Sequence, residues 1–169
     1  MAGDKYLFNN AGTVTEKAAI QASAGAGDAG KIPAVDSTGR LDNSFMPTGI
    51  GADTAAITAS EALAAGDLVN VWNSTGAKVR KADASVAGKE AHGFVLAAVS
   101  SGASATVFFE GTNAQVTGLT PGAQFLSAAT PGLATATAPT GAGNVVQRVG
   151  FATAATALNF QSQPPIVLA

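Results

Sequence analysis

Asp67–Ala82, DLVNVWNSTGAKVRKA, is the stretch that decides the fold class. Asp67–Asn73 is rich in β-branched and aromatic residues, and Asn73-Ser74-Thr75-Gly76 is a turn tetrapeptide. Ala77–Ala82 then returns with Ala77, Val79 and Lys81 on one face and Lys78 and Arg80 on the other. Strand, tight turn and returning strand make a β-hairpin.

Downstream the same grammar repeats. Ala91–Ser100 (AHGFVLAAVS) reads as a buried strand, Ser101-Gly102 as its turn, and Ala105–Glu110 (ATVFFE) as the next strand. Gly111–Val116, Gln124–Ser127, Leu133–Ala138, Asn144–Phe151, Thr156–Phe160 and Ile166–Leu168 follow, with Thr120-Pro121-Gly122 and Thr130-Pro131-Gly132 as turns between them. Turn signals every 8 to 12 residues, roughly, are the signature of a sandwich or barrel. Residues 52–169 are therefore expected to form an all-β domain, a small antiparallel β-barrel or sandwich. Upstream of the hairpin, Ser60–Ala64 fits either one helical turn or an extended lead-in.

Residues 1–51 read differently, as an extended N-terminal arm and connector. Tyr6, Leu7 and Phe8 form a compact apolar anchor. Thr13-Val14-Thr15-Glu16 fits a capping box, which predicts a short helix near residues 15–24. Ala22–Gly30 (ASAGAGDAG) has nothing large to bury and reads as a flexible linker. Residues 31–47 are expected to be extended and hairpin-like, with Lys31–Asp36 and Arg40–Met46 joined by Asp36-Ser37-Thr38-Gly39. Asp at the first and Gly at the fourth position suit a type I turn. Pro33 and Pro47 lack an N–H, which bars both flanks from helices and central strands.

The chain has 169 residues, of which 10 are Leu, 5 Ile, 14 Val and 8 Phe. That large-apolar content sits just above the fifth or so below which disorder is expected. Much of the remaining apolar content is alanine, so the core should be thin and association with other copies should add burial. Net charge is −2 with 12% charged residues, which offers no basic patch for phosphate contacts and predicts no nucleic-acid partner. Such a surface suits broad contacts with other proteins. There is no cysteine, so disulfides and thiolate chemistry are excluded. No apolar run approaches the ~20 residues of a membrane-spanning helix, and no basic-then-apolar leader opens the chain, so neither membrane insertion nor ordinary secretion is expected.

Catalytic constellations are not indicated. Gly25–Gly30 matches G-x-G-x-x-G, but the dinucleotide mechanism needs a strand before and a helix after, and Pro33 denies the helix. His92 is the single histidine and reads as a surface imidazole at a strand end. Asp67, Asp83, Glu90 and Glu110 show no ligand spacing. Asp36–Asp42 only loosely suggests a calcium loop, and the turn reading wins. Trp72 is alone where a carbohydrate site wants a platform, so core packing or a subunit contact is the better reading. Asn73-Ser74-Thr75 is a glycosylation sequon by pattern only. The chain is expected to be no enzyme and to take no cofactor or metal.

Two stretches carry a resemblance. GKIPAVDSTGRLDNSFMP (residues 30–47) resembles a connector found in structural proteins of tailed bacteriophages, of the form G-K-I-x-A-x-D-x-x-G-x-L-D-x-S-x-x-P. Within residues 65–160, AAGDLVNVWN, HGFVLAAVSSGASATVFFEG, LTPGAQFLSAATPGLATATAPT and VVQRVGFATAATALNF look like the small β domains of phage head-decoration (cement) and fibre proteins. The resemblance implies a virion protein on the outer capsid surface, made in the bacterial host cytoplasm. It would bridge major capsid protein subunits, as a homotrimer holding on by its arm. Tyr6, Leu7 and Phe8 would be the terminal anchor, and Ile32, Val35, Leu41, Phe45 and Met46 the apolar faces of the arm. A tail-fibre or baseplate component, forming a trimeric spike, is the alternative. A carbohydrate-binding module or β-fold enzyme is the third possibility.

Overall fold

The computed structural model describes residues 5–47 and 51–169. Two compact units make up the chain, Met1–Gly51 and Ala52–Ala169. In the first, β1 (Lys5–Asn10) and β2 (Thr13–Ala18) pair antiparallel, with Asn10 opposite Thr13. The loop between them is Ala11-Gly12, with φ of 50° and 93°. Two consecutive left-handed residues make the primed turn whose twist matches a hairpin. The helix expected near residues 15–24 is thus replaced at its start by a strand. Thr13, Val14 and Thr15 are β-branched and pair with Phe8, Asn9 and Asn10, whereas a helix so short would lack an apolar stripe to pack. Among the described residues of this unit, helical geometry is confined to two single 3₁₀ turns, Ala26–Asp28 and Asn43–Phe45.

The turn at Asp36–Gly39 forms: the Gly39 N–H donates to the Asp36 carbonyl (3.0 Å) and the Asp36 N–H to the Arg40 carbonyl (2.8 Å). Its flanks then diverge instead of pairing along residues 31–47. Ile20 takes a parallel bridge with Pro33. Its N–H donates to the Ile32 carbonyl (3.0 Å) and its carbonyl accepts from the Ala34 N–H (2.8 Å). That pattern uses the neighbours of Pro33 and never asks the proline for a donor. On the other flank, Asn43–Phe45 winds into its 3₁₀ turn.

In the second unit five strands close a barrel. They are β3 (Thr54–Ala59), β4 (Leu68–Asn73), β5 (Ala77–Lys81), β6 (Gly93–Val95) and β7 (Ser104–Phe108), in the order β3-β5-β4-β6-β7. All ladders are antiparallel except β3 with β5, which is parallel. So small a barrel has room only for short side chains. Ala59, Val69, Val79, Val95, Ala105 and Val107 fill it, with Leu63 alongside. The alanine and valine bias of the sequence is the composition such an interior needs.

A second sheet has the order β10-β9-β12-β13-β8. Its strands are β8 (Gly111–Asn113), β9 (Gly122–Leu126), β10 (Ala134–Thr135), β12 (Arg148–Ala154) and β13 (Ala157–Phe160). A separate short pair joins β11 (Val145–Val146) to β14 (Ile166–Val167). Leu68 and Phe94 point opposite to Val69 and Val95, and so leave the barrel interior for a second core. There they meet Leu126, Val145, Val149, Leu158 and Phe160. Phe94 stacks on Phe108 at 5.4 Å and tilts against Phe160 at 5.6 Å between ring centroids. Strands β4 and β6 are therefore buried on both faces, as the apolar run Phe94-Val95-Leu96 foretells.

Several strands differ in extent from the expectation. The strand expected over Ala91–Ser100 contracts to β6, and Leu133–Ala138 contracts to β10. Asn144–Phe151 divides into β11 and β12, between which Gln147 turns its amide into the interior. The register of β12 against β9 jumps between Arg148 and Gly150. Gly150 has φ 136°, and a Cβ there would lie 2.0 Å from the Asn159 carbonyl oxygen, so only glycine lets the strands approach. The strand β3 stood outside the sequence reading because Thr54–Ala59 (TAAITA) offers one large apolar residue.

Candidate interaction surface

In the first unit no residue of the described 5–47 is buried. The hairpin has two distinct faces set by strand alternation. On one, Leu7 and Val14 stand out at 76% and 64% exposure, beside an ion pair between Lys5 and Glu16. On the other, Tyr6 is half-buried and Phe8 lies under the Lys17 ammonium, 3.7 Å from its ring centroid. Tyr6 joins Lys5, Ala19, Ile32, Pro33, Ala34 and Val35 around an open, mostly apolar groove of about 360 Å³.

Local polar contacts hold these apolar groups in place. The Gln21 amide donates to the Val35 carbonyl (3.3 Å), and the Ser23 N–H donates to Ser44 Oγ (2.7 Å). Asp36 Oδ1 accepts from the Thr38 hydroxyl (2.7 Å) and from the Thr38 and Arg40 N–H groups (2.8 and 3.1 Å). The Thr38 hydroxyl, then the two amides, hold the Asp36 carboxyl below its usual pKa. Asp42 caps the second 3₁₀ turn by accepting from the Ser44 N–H (2.9 Å), and its contacts with Ser44 lower its pKa too. Asp28 is lowered first by Lys31, at 2.6 Å, and then by the Ala24 N–H. The G-x-G-x-x-G run at residues 25–30 thus belongs to a self-contained turn, with Gly25 before it and an Asp28–Lys31 pair closing it.

Of the eight residues singled out from sequence, the structure brings Tyr6, Ile32 and Val35 together at the groove. Leu7 lies on the opposite hairpin face, and Phe8 beside Tyr6 under Lys17. Leu41 and Met46 are exposed and Phe45 half-buried around the second 3₁₀ turn. Sequence reading missed Val14 as a partner of Leu7. The signal was a two-residue Ala-Gly loop between LFNN and TVTE, masked because alanine rarely takes left-handed geometry.

The second unit spends its chemically capable side chains on structure. His92 Nδ1 accepts from the Val71 N–H (3.0 Å), and the His92 N–H donates to the Val69 carbonyl (2.8 Å), so the imidazole continues the β4 ladder. Trp72 is half-buried on the outer barrel wall, with the Arg80 guanidinium 4.5 Å above its ring. That guanidinium also donates to Asn70 Oδ1 (3.0 Å) and the Gly88 carbonyl (2.8 Å). Asp67 pairs with Lys81 at 3.3 Å, and Asp83 with Lys89 at 3.8 Å. Glu90 accepts from the Gly88 N–H (2.9 Å). Among the described residues no three His, Asp or Glu side chains gather as metal ligands. The unit's clefts include one of about 150 Å³ beside Asp67, Gln115 and Gly132 and one of about 340 Å³ along Leu96–Val99 and β7.

No family model, curated protein or solved structure matches the chain. Function must be argued from the molecule itself.

Proposed function

We propose that the chain is a non-enzymatic virion structural protein, a head decoration protein that binds the outer capsid surface and bridges neighbouring major capsid protein subunits. One observation carries the reading: the first unit exposes its large apolar side chains, with no buried residue among 5–47, whereas the second unit has two filled cores of its own. Ordering a backbone costs roughly 1–2 kcal/mol per residue, and the first unit has no interior to offset it. A surface outside that unit has to supply the burial. The connector resemblance of residues 30–47 points the same way.

Physically, a lattice under internal pressure is stabilised when a second protein spans subunit boundaries. Many shallow apolar and main-chain contacts, repeated by symmetry, give avidity without a deep pocket. Leu41 and Met46, exposed around the capped 3₁₀ turn, are the groups of the connector best placed for such contacts. Imaging of purified particles tests the proposal. Density for this protein on the head surface, between capsid protein subunits, is the expected result. Density confined to the tail would transfer the protein to a fibre or baseplate role and end the decoration reading.

A further inference from the structure

One carboxylate of the second unit is buried and only half used. Asp67, immediately before β4, has a side chain 5% exposed. Its Oδ2 accepts from the Ala64 N–H (2.8 Å) and faces the Lys81 ammonium at 3.3 Å. Its Oδ1 accepts from no donor among the described residues and lies against Gly132, where a Cβ would come within 2.7 Å of it. Asp67 and Gly132 both line the cleft of about 150 Å³, whereas Lys81 is not part of its wall. We infer that this cleft binds a primary ammonium group carried on a slender apolar chain. The ammonium sits on Asp67 Oδ1, and the chain lies along Val116, Leu119 and Leu133. A lysine side chain of a partner protein and a free alkylamine share that chemistry.

Each feature of the cleft narrows the occupant. A carboxylate accepts at both oxygens, and leaving a buried charged one half satisfied is costly, so the missing group is a donor. A charged donor makes the stronger bond, which favours a cation over an alcohol or amide. A guanidinium grips a carboxylate through both oxygens, and Oδ2 is already taken. A hard metal ion wants several oxygen ligands, and no second carboxylate lines the cleft. The volume is about half the ~300 Å³ at which sites for larger organic ligands begin. What remains is a point charge on a thin stem, and the apolar walls of Val116, Leu119 and Leu133 suit the methylenes of that stem. The cleft is also pre-formed. Gly66 has φ 90°, and a Cβ there would lie 2.4 Å from the Gln115 carbonyl oxygen, so glycine alone allows the two walls their spacing. The Gly66 carbonyl accepts from Asn113 Nδ2 (2.9 Å), and the Gly132 N–H donates to the Ala82 carbonyl (2.7 Å), which fixes both glycines.

Amide correlation spectra of the full, isotopically labelled chain, titrated with n-butylammonium chloride, read this directly. Saturable shifts are expected at Ala64, Gly66, Gly132 and Leu133, half complete at roughly 1 mM for so small a ligand. n-Butanol has the same stem without the charge and is expected to bind at least ~10-fold more weakly. Shifts that never saturate, or butanol binding as tightly as butylammonium, overturn the inference. Asp67→Asn keeps the shape of the carboxylate without its charge and should weaken butylammonium at least ~10-fold, with circular dichroism confirming the fold. If that variant does not fold, having stripped Lys81 of its counter-ion, the butanol comparison on the parent chain decides alone. Leu133 is exposed, so Leu133→Ser should fold normally. It is expected to weaken butylammonium and leave methylammonium unchanged, and an equal effect on both overturns the placement of the stem. A blocked tripeptide with a central lysine separates the two sources. Competition at the same amides assigns the cleft to a lysine of a partner protein, and exclusion of the peptide while butylammonium binds assigns it to a free amine. None of these readings depends on particle binding, so the decoration role and the ammonium site fail separately.

Discussion

Gln147 shows how a single side chain can substitute for a strand. It is 2% exposed, and its amide meets the backbone of Ala91 as a paired residue would. The Ala91 N–H donates to Gln147 Oε1 (2.7 Å), and Gln147 Nε2 donates to the Ala91 carbonyl (2.9 Å) and to Ser162 Oγ (2.9 Å). Gln147 falls between β11 and β12, where its carbonyl still accepts from the Leu126 N–H (2.9 Å) while its side chain turns inward to do this. Gln147→Leu keeps the volume but orphans the Ala91 N–H, while the Ala91 carbonyl retains the Ser162 hydroxyl. One buried orphan plus the lost bonds should cost about 2–3 kcal/mol, lowering the midpoint of thermal unfolding by roughly 10 °C. A calorimetric scan checks it, and an unchanged midpoint would mean that water satisfies Ala91 equally well. None of this was legible in the sequence, where Gln147 looked like one polar position in an alternating strand. Polar residues announce burial only through partners that lie far away in the chain.

At the scale of elements, the sequence spoke clearly where a strand owed its character to its own residues. The hairpin of β4 and β5, its Asn73–Gly76 turn and the Phe94-Val95 strand were readable because valine, tryptophan and phenylalanine mark them. β3 is built of alanine and threonine and was invisible, since it is a strand by virtue of closing the barrel. In the first unit the Asp36–Gly39 turn was legible from Asp and Gly alone, whereas the capping-box motif at Thr13 lost to hairpin pairing with β1 across the Ala11-Gly12 loop. The same acidic turns have a pH signature. Asp28, Asp36 and Asp42 all have carboxyls lowered below their ordinary pKa by hydrogen bonds made only in the folded turn. A depressed folded pKa contributes stability that is present above the unfolded value, near 4, and is lost as pH falls through the folded one. The turns of residues 24–46 should therefore loosen below about pH 4 while the neutral cores of the second unit hold. Amide exchange at pH 3, corrected for intrinsic rates against pH 6, should show protection lost at Thr38, Arg40 and Ser44 but kept at Val69 and Val95. Equal retention at all five sites would contradict the assignment.

Across the whole molecule, the two units differ in where their stability comes from. Every buried apolar residue of the described chain lies between Ala59 and Phe160, in the barrel interior or in the core behind it. The barrel is closed within the second unit, since β3 begins at Thr54 and its ladders with β5 and β7 complete the ring. A chain lacking residues 1–51 should consequently keep its cooperative melt, with a midpoint within about 5 °C of the intact protein, because it forfeits no core contact. What it forfeits is exposed apolar surface, Leu7, Phe8, Val14, Ile32, Val35, Leu41 and Met46. If that surface is the adhesive part of the molecule, the truncated chain should fail to co-sediment with heads at concentrations where the full chain saturates them. Melting and co-sedimentation measured together separate the two roles. Loss of the melt would place part of the second unit's stability in the first, and full binding without residues 1–51 would move the contact to the outer wall of the barrel, where Trp72 and Arg80 stack.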